Sequence, residues 1–108
     1  MKWRICVEEQ IKSIIVTSLK QIEYVSIILF GSRARGDFSK SSDYDILIIL
    51  KHDLDMREKI TLSTSLRKTL AHNGIDADII LKTQNEVDYY KNKVGNVVKS
   101  AFEEGVTL

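Results

Sequence analysis

Three features of this sequence predict an α/β (α+β) fold, a small mixed β-sheet flanked by helices. Apolar residues recur at spacings of three and four in three long segments, the signature of amphipathic helices. Three short runs rich in β-branched residues lie between them and read as strands. The order is helix, strand, strand, helix, strand, helix, which suits a two-layer unit with one sheet.

The first helix is predicted over residues 7–22, where Val7, Ile11, Ile14, Ile15, Leu19 and Ile22 form the apolar stripe. YVSIILF, residues 24–30, is a buried strand that stops at Gly31. GSRARGD follows as a tight connection with room for one helical turn. DYDILIIL, residues 43–50, is the second strand. A helix over 55–72 comes next, capped by Asp53 or Asp55 and stopped at Asn73-Gly74. Its stripe is Met56, Ile60, Ser63, Leu66 and Leu70. IDADIIL, residues 75–81, is the third strand. The last helix is predicted over 85–103, with Val87, Tyr90, Val94, Val97 and Ala101 buried and Gly105 ending it. The first two strands are joined without a full helix, so they should run antiparallel. The second and third are joined through one, so they can run parallel, and the sheet is mixed.

The 108 residues fit one compact domain, residues 1–108, without repeats or low-complexity tracts. Sixteen Lys and Arg against fifteen Asp and Glu leave a formal charge of +1, and no long basic run is present. Direct nucleic-acid binding is therefore not expected. Cys6 is the only cysteine, which excludes an internal disulfide and fits a reducing, cytoplasmic setting. No apolar segment approaches the roughly 18 residues a membrane helix needs, and no signal peptide opens the chain. His52 and His72 have no zinc-ligand spacing with Cys6. Trp3 and Tyr44 read as packing groups rather than base-stacking platforms.

The chemistry concentrates in FGSRARGDFSKSSDYDIL, residues 30–47. Strand side chains alternate faces, so Asp43 and Asp45 point the same way, with α-carbons roughly 6.5–7 Å apart. Leu47 and Ile49 continue that face, so the aspartates must stand where it opens to solvent. Asp76 and Asp78 repeat the pattern ahead of Ile80. Carboxylates gathered at one rim repel each other and resist desolvation. A divalent cation removes that objection, and magnesium is commonly held by one or two carboxylates plus substrate phosphates. Gly31 lets the backbone turn sharply, and Ser32 with the turn amides can bind phosphate oxygens. Arg33 and Arg35 add positive charge beside them. The spacing is neither that of the ATPase phosphate loop nor that of a dinucleotide fingerprint. Asp37 and Ser39, Ser41 and Ser42 read as loop residues.

Gly31-Ser32-Arg33-Ala34-Arg35-Gly36 followed by Ser42-Asp43-Tyr44-Asp45 resembles the signature of the DNA polymerase beta-like nucleotidyltransferase superfamily. The length is similar to that of the minimal nucleotidyltransferases, small antitoxins paired with HEPN-domain toxins. The ending Glu103-Glu104-Gly105-Val106-Thr107-Leu108 is similar to theirs, and the resemblance covers nearly the whole chain. It implies the polymerase beta-like palm fold. Gly31 and Ser32, with Arg33 and Arg35 beside them, are implied to hold the phosphates of ATP. Asp43 and Asp45 match the family's metal-binding pair. Asp78 best matches its third carboxylate, with Asp76 a rival. Tyr44 stands where relatives often carry a smaller aliphatic residue, on the opposite face. The implied reaction is magnesium-dependent transfer of AMP from ATP to a tyrosine hydroxyl on a cognate HEPN toxin. A binding-only antitoxin and a different acceptor are the alternatives, and assembly with itself or with the toxin is compatible with so small a domain.

Overall fold

The computed structural model describes residues 6–20, 22–39 and 41–108, so the reading of Trp3 lies outside the described residues. Its elements are α1 (Val7–Leu19), β1 (Tyr24–Phe30), α2 (Ser32–Arg35), β2 (Tyr44–Leu50), α3 (Met56–His72), β3 (Ala77–Thr83), α4 (Gln84–Tyr90), α5 (Val97–Glu104) and β4 (Val106–Thr107). The strands form one sheet in the order β3-β2-β1-β4. β1 is antiparallel to β2 and to β4, while β2 and β3 are parallel, so the sheet is mixed as predicted.

The sheet is covered on both faces, which makes three layers rather than the predicted two. Ile27, Leu29, Ile46, Ile48, Leu50 and Leu81 face one way and pack with Ile11, Ile15 and Leu19 of α1 and Leu66 and Leu70 of α3. Ile28, Phe30, Leu47 and Ile49 face the other way, against Val87 of α4 and Val98 and Ala101 of α5. The run ILIIL explains this: Ile46 to Leu50 are buried without a break, and a strand apolar on both faces needs a layer on each.

The predicted last helix is two helices. Lys91 to Asn96 separate α4 from α5, with Gly95 at φ +80° and the Asn96 side chain capping α5 at the Val98 N–H, 2.9 Å away. A left-handed residue cannot continue a helix, so Gly95 is a breaker and not the mild weakness that propensity alone suggests. The predicted stripe is corrected with it: Val94 is 93% exposed, and Val98 takes the core position. Met56 and Ile60 of α3 also face solvent, at 73% and 58% exposed. They precede the two turns in which α3 crosses the sheet with Leu66 and Leu70. Asp55 caps α3 through a capping box with Glu58. Thr83 ends β3 and opens α4 through a second box with Glu86, so strand and helix join without a loop. Among the described residues no helix is long and apolar enough to cross a membrane.

The sequence predicts no element beyond Gly105, where the last helix ends. Instead Val106 and Thr107 pair with Leu29 and Ile28, and the Leu108 N–H donates to the Ile27 carbonyl at 2.8 Å. Gly105 permits this. A Cβ there would run into the Ala101 carbonyl oxygen and the Ile28 side chain. Gly105→Ala is expected to destabilise the protein by about 1–3 kcal/mol, the usual cost of forced overpacking, read as a lower urea midpoint.

Candidate active site

β1 delivers the chain to the site. Its last residue, Phe30, pairs with Asp45, so Gly31 leaves the sheet beside that aspartate. Gly31 has φ +75° and ψ −160°, and a Cβ on it would run into the Asp45 carboxylate. Only glycine provides both the left-handed backbone and the bare α-carbon against which Asp45 lies. One helical turn, α2, follows: the Ala34 and Arg35 N–H groups donate to the Gly31 carbonyl at 3.1 and 3.0 Å, and Gly36 closes it.

Asp45 and Asp78 are register partners on the parallel strands β2 and β3. They share the parity of Leu47 and Ile80, so both stand on the sheet face covered by α4 and α5. Asp43 precedes β2 at the same mouth. Burial pushes the Asp45 carboxyl above its ordinary value, and the charges of Asp78, then Asp43, push it further; Arg35 opposes them and Glu104 adds to them. Asp76 sits differently. Its carbonyl accepts from the Tyr44 N–H at 2.9 Å, and with Asp43, Arg67 and Lys68 it borders a cavity of about 390 Å³ beside α3. Asp78 is the carboxylate that stands level with Asp45.

The two arginines part company. Arg33 donates through Nε and Nη2 to the Ser42 carbonyl at 3.2 and 3.0 Å. Its guanidinium lies 4.3 Å from the centre of the Phe38 ring and 4.4 Å from that of Tyr44. Tyr44 belongs to the α1/α3 face, so Arg33 ties the loop to the side of the sheet away from Asp45. Arg35 is on the acidic side, with Nε 3.1 Å from Asp37 and Nη1 2.9 Å from Glu104. Asp37, read as a loop residue, is thus an ion-pair partner of Arg35. The Gly31 N–H, expected to be open to phosphate, donates to Glu104 at 3.1 Å.

The donor set suits a hard cation. Every candidate ligand is a carboxylate oxygen, and the mutual repulsion that raises Asp45 is what a divalent ion relieves. Among the described residues no three acidic, histidine or cysteine side chains converge closely enough to hold an ion by themselves. Magnesium would draw further oxygens from a phosphate-bearing substrate, its usual habit.

The sequence matches the family described as polymerase beta, nucleotidyltransferase, over residues 9–104. The chain belongs to this nucleotidyltransferase family. It is 36% identical over 83 residues to the Methanocaldococcus jannaschii protein named "Putative protein adenylyltransferase MJ0604", covering 76% of this chain and 75% of that one. Its fold is similar to that of a toxin–antitoxin crystallised with AMP-PNP, with a TM-score of 0.58 and 20% identity over 89% of this chain and 70% of that one. It is also similar to a structure of a tri-AMPylated Shewanella oneidensis HEPN toxin in complex with MNT antitoxin, with a TM-score of 0.52 and 18% identity over 93% and 66% of the two chains.

Sequence reasoning missed Glu104 in this nucleotidyltransferase. It lies 73 positions from Gly31, and no local pattern links an α5 carboxylate to a turn after β1. The helix-ending Glu-Gly pair was the only signal available.

Asp45 holds its proton more tightly folded than unfolded. The stability associated with that proton is fully present below the unfolded value near 3.8 and is lost as pH rises through the higher folded value. Asp45→Asn is therefore expected to melt higher than the parent at pH 7 without divalent cations. The gap should close as pH falls toward 3. Thermal melts across that range check it, and a gap independent of pH contradicts it.

Proposed function

We propose that this domain is a magnesium-dependent adenylyltransferase that moves AMP from ATP onto a tyrosine hydroxyl of a cognate HEPN toxin, and so acts as its antitoxin. One observation carries the reading: Asp45 and Asp78 stand level on adjacent strands of one sheet face, beside a glycine turn whose α-carbon abuts Asp45. The names of the relatives supply the rest of the reading, an adenylyltransferase in one case and an AMPylated toxin with its antitoxin in another. The lone, exposed thiol of Cys6 suits the reducing cytoplasm in which ATP is at hand.

Asp43, Asp45 and Asp78 would hold the magnesium. When bound, the metal neutralises triphosphate charge and makes the acceptor hydroxyl easier to deprotonate. Ser32 opens α2 beside Asp45 and offers its hydroxyl to a phosphate oxygen. Arg35 places positive charge on the same side, where the leaving pyrophosphate gathers negative charge. The acceptor oxygen attacks the α-phosphorus and the bond to pyrophosphate breaks. Asp78, exposed at the mouth, takes the hydroxyl proton. Arg33 serves this chemistry only by fixing the loop that presents Asp43. Most of the acceleration comes from positioning and charge stabilisation, as in other phosphoryl transfers. A domain this small leaves one side of the site open, and the toxin closes it.

Incubation with magnesium, ATP and the protein encoded beside it should raise that protein's mass by one or more AMP units. Asp43→Asn and Asp45→Asn are each expected to lower the rate by about 10²–10³-fold, the scale for losing one preorganised electrostatic group. Asp78→Asn should behave likewise, whereas Asp76→Asn should keep most of the rate. A neighbour that binds tightly but gains no mass would contradict catalysis.

A further inference from the structure

Glu104 is the last residue of α5, and its side chain is 28% exposed. One oxygen, Oε1, accepts from the Gly31 N–H at 3.1 Å and from Arg35 Nη1 at 2.9 Å. The framework delivers it there. Gly105 lets the chain turn tightly against Ile28, and β4 then clamps that turn to Ile28 and Leu29. The Gly31 N–H is thereby committed, and a phosphate could use it only by displacing Glu104. Arg35 is not used up. A guanidinium carries five N–H donors. Glu104 engages one nitrogen and Asp37 another, and the side chain is still 45% exposed.

We propose that Glu104 is a positioning residue for the nucleotide. It fixes the Gly31–Ser32 turn from inside and aims the remaining donors of Arg35 at the triphosphate. The inference rests on the nucleotidyl transfer proposed above. A carboxylate this close to phosphates would repel them if it stood alone. Here Arg35 at 2.9 Å offsets its charge, and the guanidinium keeps N–H donors that neither Glu104 nor Asp37 engages. The alternative role is that of a competitor, a resident anion that phosphate must expel. The clamped helix end favours positioning, because it holds the Glu104 backbone against the Gly31 turn, and displacing the carboxylate would give up its hydrogen bonds to both the Gly31 N–H and Arg35.

Calorimetric titration of the full chain with AMP-PNP in magnesium chloride separates the two. Glu104→Ala should weaken binding about tenfold, the scale of one charge-assisted hydrogen bond. Glu104→Gln keeps an acceptor oxygen of the same reach and should restore most of the affinity. Glu104→Asp keeps the charge but is one methylene short, and should bind as weakly as Glu104→Ala; it decides the matter if the alanine variant does not fold. A purely structural role would shift the melting temperature without this order of affinities. Unchanged or tighter binding in both Glu104→Ala and Glu104→Asp overturns the inference while leaving nucleotidyl transfer standing. If the parent chain itself fails to bind magnesium AMP-PNP, the transfer reading falls and this inference falls with it.

Discussion

The Asp45 carboxylate resting on the bare α-carbon of Gly31 is the contact around which the mouth of the sheet is arranged. Asp45 belongs to the central strand β2, so its position is set by pairing on both sides, with Phe30 and with Asp78. Gly31 follows Phe30 directly and has no freedom to stand elsewhere. Any side chain at residue 31 would have to evict the carboxylate or swing the turn, and the turn starts α2 and places Arg35. A single missing methyl group thus couples the acidic and basic halves of the site.

The double-faced core keeps that arrangement rigid. In a strand with one buried face, a register slip of one residue exchanges core for solvent. In β2 both faces are buried, and Asp45 is the first residue inward from the mouth that breaks the apolar run. A slip against β3 would drive Asp78 toward the face that holds Leu66 and Leu70, and a charge among leucines is costly. The pairing of Asp45 with Asp78 is therefore held by the leucines and isoleucines behind them. The aspartates themselves repel.

This division explains what could be read from the chain. The period-two placement of Asp45 with Leu47 and of Asp78 with Ile80 is a local pattern that β2 and β3 obey, while Asp43 and Asp76 lie just ahead of the strands and border the cavity beside α3. The breaker at Gly31 and the cap at Asp55 are also local and were legible. The last helix was misread because its apolar spacing continues through Val94 and Val97, although the backbone does not. Gly95 is helical or left-handed according to what α5 packs on, and that partner is remote in sequence. β4 is two residues long, too short to carry a strand pattern, and its pairing with β1 depends on Gly105 meeting Ile28. The role of Glu104 was hidden for the same reason: it is defined wholly by what lies across the molecule. The carboxylate rim was written in the sequence, while the groups that support it were written in the packing.

Arg33 and Arg35 show how far identity falls short of role. They are two residues apart in one helical turn, so their side chains leave the axis roughly 200° apart. The turn sits at the edge of the sheet, and so one arginine is carried to each face. Arg33 meets Phe38, Tyr44 and the Ser42 carbonyl, and becomes a staple for the loop. Arg35 meets Asp37 and Glu104, and its charge lowers the Asp45 carboxyl that the other neighbours raise. Composition and net charge weigh the two arginines equally. The angle of one turn of helix decides that Arg35 shares a face with the carboxylates and Arg33 does not.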